Sequence, residues 1–219
     1  TLLWAARDKA EVLVAECMAI DPELQAVSAR GMLRPDITVI TNARPDHTEV
    51  QGATLWEIGE SLLCCLYPCP KGQTALAVTG DAAFYPRLEE RCHALGITPL
   101  LAQPVENGPD FPENMGVALA VCIFLGVSRE MALLGMAQAL PDPYAARLYR
   151  REDRVFLSGF STNDPQSALA AYRRFQEEQG FFGPLTLVIN SRGDRPERAR
   201  QMLELAAALR PAQAVLLGE

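Results

Sequence analysis

Ile37-Thr38-Val39-Ile40-Thr41 is an unbroken run of β-branched residues that stops at Asn42. Such residues pack well on a pleated surface, and a short run without polar alternation fits a strand covered on both faces. The chain then turns polar: Asn42-Ala43-Arg44-Pro45-Asp46-His47-Thr48-Glu49 holds one of only two histidines in the 219 residues. Open α/β sheets place their chemistry in loops of this kind, just beyond the carboxyl ends of buried strands.

The rest of the chain repeats the alternation. Residues 4–10 read as the tail of a helix. Val12 to Ile20 is a continuous apolar run broken by Glu16 and reads as a second covered strand. Asp21 and Pro22 open a helix to about Leu33, as N-cap and first helical residue. Strand, helix and strand with a short crossover predict that 12–20 and 37–41 run parallel. Thr54 and Glu57 have capping-box spacing and open a helix to about Leu66. A strand at 74–79, a helix at 85–95 and a strand at 98–102 come next. Residues 103–113 form a loop, and helices run from Asn114 to Leu125 and over 129–140.

Pro141-Asp142-Pro143, with Arg150-Arg151-Glu152-Asp153 beyond it, marks the domain boundary. After it come strands at 155–160, 185–190 and 213–217 and helices at 165–178 and 197–209, a small open parallel sheet. The expected domains are 1–143 and 144–219.

Apolar residues at 49% are enough for a core, and the net charge of −7 argues against a nucleic-acid partner. No stretch reaches the roughly 18 apolar residues of a membrane span. Six cysteines in a chain this apolar do not form a disulfide scaffold. Cys17 and Cys122 are expected to be buried, Cys64, Cys65 and Cys69 lack zinc-site spacing, and a reducing cytoplasm fits best. The chain lacks an initial Met and both ends read as cut, so a fragment or processing product is expected.

Several residues are candidates for chemistry, each with two readings open. Glu16 either reaches a metal at the carboxyl edge or is a salt-bridged strand end. His47 is a metal ligand, a general base or a solvated loop residue, with Asp46 placed to orient it. Asn114 either recognises a base edge, since an amide both donates and accepts, or caps its helix. Two turns, Ser161-Thr162-Asn163-Asp164 and Arg192-Gly193-Asp194-Arg195, lead into helices and are either anion sites or ordinary caps. No GxxxxGK[ST], GxSxG or HExxH pattern occurs.

The order of these motifs resembles the Mur-ligase-like amide ligases, closest to the ligase subunit of poly-γ-glutamate synthase of the capsule type. The resemblance lies in Val14-Ala15-Glu16-Cys17-Met18-Ala19-Ile20-Asp21-Pro22, Thr41-Asn42-Ala43-Arg44-Pro45-Asp46-His47 with Val50-Gln51-Gly52, and Phe111-Pro112-Glu113-Asn114. It continues through Pro141-Asp142-Pro143, Gly159-Phe160-Ser161-Thr162-Asn163-Asp164, Asn190-Ser191-Arg192-Gly193-Asp194-Arg195 and Leu216-Leu217-Gly218-Glu219. It implies an α/β fold: a parallel sheet flanked by helices like the Mur-ligase central domain, without its first strand and phosphate loop, then a small Rossmann-like α/β domain. It implies an ATP-dependent ligase that joins glutamate units through an acyl phosphate.

By the resemblance, Glu16 and His47 match Mg²⁺ positions, and His47, Asp46 and Arg147 match catalytic ones. Asn42, Asn114, Asn163, Asp194 and Arg195 match positions on the ATP side. Implied partners are glutamate or a γ-glutamyl chain, membrane subunits of a synthase complex at the inner face of the membrane, a phosphate-loop segment ahead of residue 1, and a second copy in a homo-oligomer. Two departures stand out: no Lys lies between His47 and Lys71, and Val117 replaces the second Asn of the adenine motif. A non-catalytic scaffold in the same complex is the competing reading, and a Gly-rich Lys-Ser/Thr loop upstream of Thr1 would decide against it.

Overall fold

Leu76-Ala77-Val78-Thr79 forms the strand β2, in which all four residues are buried. Its side chains point alternately to two sides, and each side has its own apolar cluster. Ala75 and Ala77 join Ile40, Leu63, Leu66, Phe84, Leu88 and Cys92 on one face. Leu76 and Val78 join Ala102 and Val117 on the other. A strand flanked by apolar layers on both faces has no polar alternation, which is why 74–79 reads as it does in the sequence.

The computed structural model describes residues 2–106, 108, 110–140, 144–160, 162, 164–193 and 196–218. They fall into two compact units, Thr1–Ala139 and Leu140–Glu219.

In the first unit β2 is central. It pairs in parallel with β1 (Ile37–Ile40) and with β3 (Thr98–Leu101), in the order β1-β2-β3. Helices α1 (Leu2–Arg7) and α2 (Pro22–Ala26) precede β1, and a π-helical stretch continues α2 over Val27–Leu33. Between β1 and β2 lie α3 (Thr48–Gln51), α4 (Leu55–Leu62) and a 3₁₀ turn, Leu63–Cys65. Helix α5 (Tyr85–Leu95) links β2 to β3, and α6 (Pro112–Phe124) and α7 (Arg129–Gln138) come after it. The caps of α2 and α7 read from the sequence are made. Asp21 accepts from the Glu23 and Leu24 amides, and Ser128 from Met131.

Thr54 and Glu57 complete the capping box of α4: the Glu57 amide donates to Thr54 Oγ1 at 3.2 Å, and the Thr54 amide donates to Glu57 Oε2 at 3.0 Å. The hydrogen bond from the Thr54 side chain is the main cause that holds the Glu57 carboxyl below its ordinary value of 4.5. A lowered carboxyl contributes stability that is full above that ordinary value and is lost as pH falls through the folded one. Thr54→Ala is therefore expected to lower stability at neutral pH. Thermal melts from pH 7 to pH 3 should show the gap between variant and parent closing on the acid side.

The apolar run at 12–20 corrects the sequence reading. It forms no strand and pairs with nothing in parallel, and Val12, Leu13, Val14 and Met18 are exposed. A strand needs a hydrogen-bonding neighbour, and among the described residues β1 pairs with β2 alone and not with this run. Glu16 accordingly sits on an exposed irregular segment, not at a strand end. Cys17 is exposed and Cys122 half-buried, where burial was expected; the fully buried thiol is Cys92.

The second unit also departs from expectation. The stretch expected to be boundary material is a hairpin: β4 (Arg147–Arg151) pairs antiparallel with β5 (Arg154–Ser158) around Glu152-Asp153. Glu152 takes the left-handed φ of 54° that the tight turn demands. Helix α8 (Pro165–Gln179), strand β6 (Thr186–Ser191), helix α9 (Pro196–Leu209) and strand β7 (Gln213–Gly218) complete the unit. β6 and β7 are parallel, as a helical crossover requires. Among the described residues β5 pairs with β4 instead of extending that sheet. The residues Pro141-Asp142-Pro143 lie outside the described ones.

Candidate functional site

The carboxyl edge of β1-β2-β3 gathers three segments. The first is the loop from Thr41 to His47. The Ala43 amide donates to Asp81 Oδ2 at 3.1 Å, which ties this loop to the end of the neighbouring strand β2. Asp81 Oδ1 accepts from the Ala83 and Phe84 amides at 2.9 and 3.1 Å and so shapes the turn into α5. One carboxylate thus fixes the two loops that leave adjacent strands.

The second segment is the start of α6. Gly80, directly after β2, lies against it: a Cβ there would meet Glu113 Cβ and Val117 Cγ2 at 3.3 Å. Asn114 is exposed in the first turn of this helix, beside Glu113. It is not the cap: Phe111 holds that position and Pro112 opens the helix. With no capping duty, the Asn114 amide is available to a ligand at this edge.

The third segment ends at Ile20. Its carbonyl accepts from Gln25 Nε2 at 3.3 Å and from Gln51 Nε2 at 3.2 Å. Gln51 belongs to α3, the short helix that His47 begins. The chain that carries Glu16 is therefore fastened to the helix that carries His47.

His47 has φ 51° and ψ 40°, a left-handed conformation that costs a non-glycine residue on the order of 1 kcal/mol. Residues held this way cluster at functional sites. The backbone amide of His47 donates to Asp46 Oδ1 at 3.0 Å. Its ring lies between two carboxylates, with Nε2 3.7 Å from Asp46 Oδ2 and Nδ1 3.5 Å from Glu49 Oε1. The side chain of His47 is 25% exposed, that of Asp46 34% and that of Glu49 60%. An imidazole flanked in this way can pass a proton or help hold a cation. Asn42 is half-buried in the same loop.

Among the described residues no group of three or more His, Cys, Asp or Glu side chains is arranged to hold a metal ion. Mg²⁺ needs no such group, because it keeps several waters and takes one or two protein donors. The donors near this edge, mostly carboxylate oxygens, suit a hard cation.

Arg147 is the first residue of β4, half-buried and opposite Ser158. Asp164 is buried and caps α8 by accepting from the Ser167 amide at 2.8 Å. Asn163, Asp194 and Arg195 lie outside the described residues. Sequence reasoning missed Asp81, Gln25, Gln51 and Gly80. Only Asp81 had a local signal, as the first acidic residue beyond a buried strand in the same sheet.

Residues 144–219 match the family model described as the poly-gamma-glutamate synthase CapB C-terminal domain. The chain is 31% identical to the capsule biosynthesis protein CapB of Bacillus anthracis, over 90% of this chain and 44% of that protein. It is 28% identical to the PGA synthase CapB of Bacillus subtilis (strain 168), over 96% of this chain and 56% of that protein. The chain thus spans about half the length of the curated relatives it matches. Among solved structures, MurF from Acinetobacter baumannii matches with a TM-score of 0.65 at 16% identity, over 90% of this chain and 49% of that one. A folylpolyglutamate synthase from Thermotoga maritima matches with a TM-score of 0.61 at 14% identity, over 99% and 61%. A bifunctional folylpolyglutamate synthase/dihydrofolate synthase with Mn, AMPPNP and L-glutamate bound matches with a TM-score of 0.52 at 18% identity, over 83% and 58%. These likenesses bear out the α/β fold and the resemblance to the Mur-ligase-like amide ligases and to the poly-γ-glutamate synthase ligase subunit.

Proposed function

We propose that this chain, alike in sequence to poly-γ-glutamate synthases and in fold to Mur and folylpolyglutamate ligases, serves an ATP-dependent ligase that joins glutamate units. The observation that carries this reading is the sequence match, over nearly the whole chain, to a capsule biosynthesis protein CapB and a PGA synthase CapB. Its domains would be 1–143 and 144–219. In the reaction a substrate carboxylate takes the γ-phosphoryl group of ATP and ADP leaves. The amino group of an incoming glutamate then attacks the acyl carbon, phosphate departs, and the amine gives up a proton.

His47 stands between Asp46 and Glu49 and would hold or pass a proton at that edge, with Asp46 fixing the ring. Glu16 and His47 would hold Mg²⁺, which when bound offsets charge on the phosphoryl oxygens. Asn42 and Asn114 would face the nucleotide. Arg147 keeps the catalytic role, and Asn163, Asp194 and Arg195 the nucleotide-side role, that the resemblance implies. A γ-glutamyl chain as acceptor, membrane subunits as partners at the cytoplasmic face and self-association belong to the same proposal. No helix among the described residues is long and apolar enough to cross a membrane.

The test is ADP release from ATP with Mg²⁺ and glutamate by the protein bearing this chain, with glutamate oligomers read by mass spectrometry. Release that depends on glutamate is the expected result, and its absence overturns the ligase reading. His47→Ala is expected to lower kcat by about 100-fold or more. An undiminished rate in that variant overturns the role of His47 alone.

A further inference from the structure

We infer that Cys17 and Cys65 form a redox modification site: a reversible disulfide that fastens the exposed segment bearing Glu16 to the turn after α4. The two sulfurs lie 4.0 Å apart, although 48 residues separate them in sequence. A disulfide bond is about 2.05 Å long, so the sulfurs must close by about 2 Å. The segment that has to move lies outside the sheet. Residues 12–20 take part in no strand, and Cys17 is exposed.

Three of the other thiols are placed elsewhere. Cys64 donates to the Glu60 carbonyl at 3.7 Å, within its own helical turn. Cys69 is directed at the carbonyls of Pro70 and Gln73, at 3.6 and 3.2 Å. Cys92 is buried in the core beside β2. The Cys65 thiol instead faces Cys17 and the buried amide oxygen of Gln25, 3.6 Å away. That Gln25 amide also holds the Ile20 carbonyl, so the pair sits where the segment already meets the body of the unit.

The two cysteines have different parts in the chemistry. Cys17 is open to solvent and meets an oxidant first. Burial, and next the charge of a neighbouring Cys17 thiolate, push the Cys65 thiol up to about 12. With a small-molecule disulfide as oxidant, the Cys17 sulfur attacks it, a mixed disulfide forms, and one small thiolate leaves. The Cys65 sulfur then gives up its proton and attacks the Cys17 sulfur, and the second small thiolate leaves. Two protein thiols have been oxidised, one small disulfide has been reduced to two thiols, and the two protein protons end on those thiols.

The disulfide rests on the thiol geometry and stands apart from the ligase reading. The test incubates the protein with oxidised glutathione under native conditions and maps peptides without reduction. The expected result is a loss of two of the six thiols, a mass lower by two hydrogens, and a Cys17–Cys65 linked peptide. Dithiothreitol should restore all the thiols. Cys17→Ser and Cys65→Ser should each abolish the link, while Cys64→Ser should leave it intact. A protease that cuts after glutamate should cleave at Glu16 more slowly in the oxidised protein. A different pairing, or glutathione retained on Cys17 with Cys65 still reduced, overturns the proposal.

Discussion

Asp81→Ala is expected to lower stability by about 2–4 kcal/mol and to loosen the loop from Asn42 to His47, while Asp81→Asn loses about half as much. The two oxygens of this carboxylate do different work. Oδ1 accepts from the Ala83 and Phe84 amides, and Oδ2 accepts from the Ala43 amide. An asparagine keeps an acceptor for the first pair but turns an NH₂ group toward Ala43, whose own N–H then has no partner there. Ala43 is 7% exposed, so that N–H cannot turn to water without moving the loop. Alanine removes both connections. Denaturant midpoints give the sizes, and amide exchange separates the causes. Faster exchange at Ala43 is expected in both variants, and faster exchange at Ala83 and Phe84 in Asp81→Ala alone. If Asp81→Asn leaves Ala43 as protected as in the parent, the link between the two loops is not what holds His47 in place.

The anatomy of this edge was legible in part, and the division follows the range of the interactions. Strand β2, helix α5 and the capping box of α4 announce themselves locally, because burial pattern and caps are set by residues within a few positions of one another. The loop at Asn42–His47 was visible for the same reason: a β-branched run ends abruptly at polar residues. Asp81 was not, because its importance comes from an amide 38 positions earlier in the chain. The error at 12–20 has the same root. An apolar run announces that it wants cover, but only the rest of the sheet determines whether a neighbouring strand supplies it. The hairpin at 147–158 was missed because Glu152-Asp153 contains no glycine or asparagine to mark a turn, and the arginines around it read as surface. Of the two readings of Asn114, the cap fails by three positions, since Phe111 holds that place and Pro112 opens α6.

Gly116→Ala and Gly135→Ala are expected to shift stability in opposite directions, although both glycines lie inside helices and alanine is the better helix former at each. Intrinsic propensity favours the substitution by up to about 1 kcal/mol. At Gly135 nothing lies within 4 Å of the new Cβ, so that gain stands and the midpoint should rise. At Gly116 the same atom would come within 2.1 Å of the Gln103 carbonyl oxygen and 2.9 Å of its carbon. The obstacle is backbone, just after β3, and cannot swing aside as a long side chain would. Forcing such a contact costs about 1–3 kcal/mol or more, which exceeds the propensity gain, so the midpoint should fall. The carbonyl of Pro112 accepts from the Val105 amide at 2.9 Å, so the first turn of α6 and the chain after β3 shift together or lose this bond. Asn114 lies in that turn, and Gly80 at the end of β2 packs against it. Displacement of α6 therefore reaches the carboxyl edge of the sheet, and Gly116→Ala should also weaken AMPPNP binding if Asn114 faces the nucleotide, while Gly135→Ala should not. A Gly116→Ala protein as stable as the parent would mean that α6 does not pack this closely on the chain after β3.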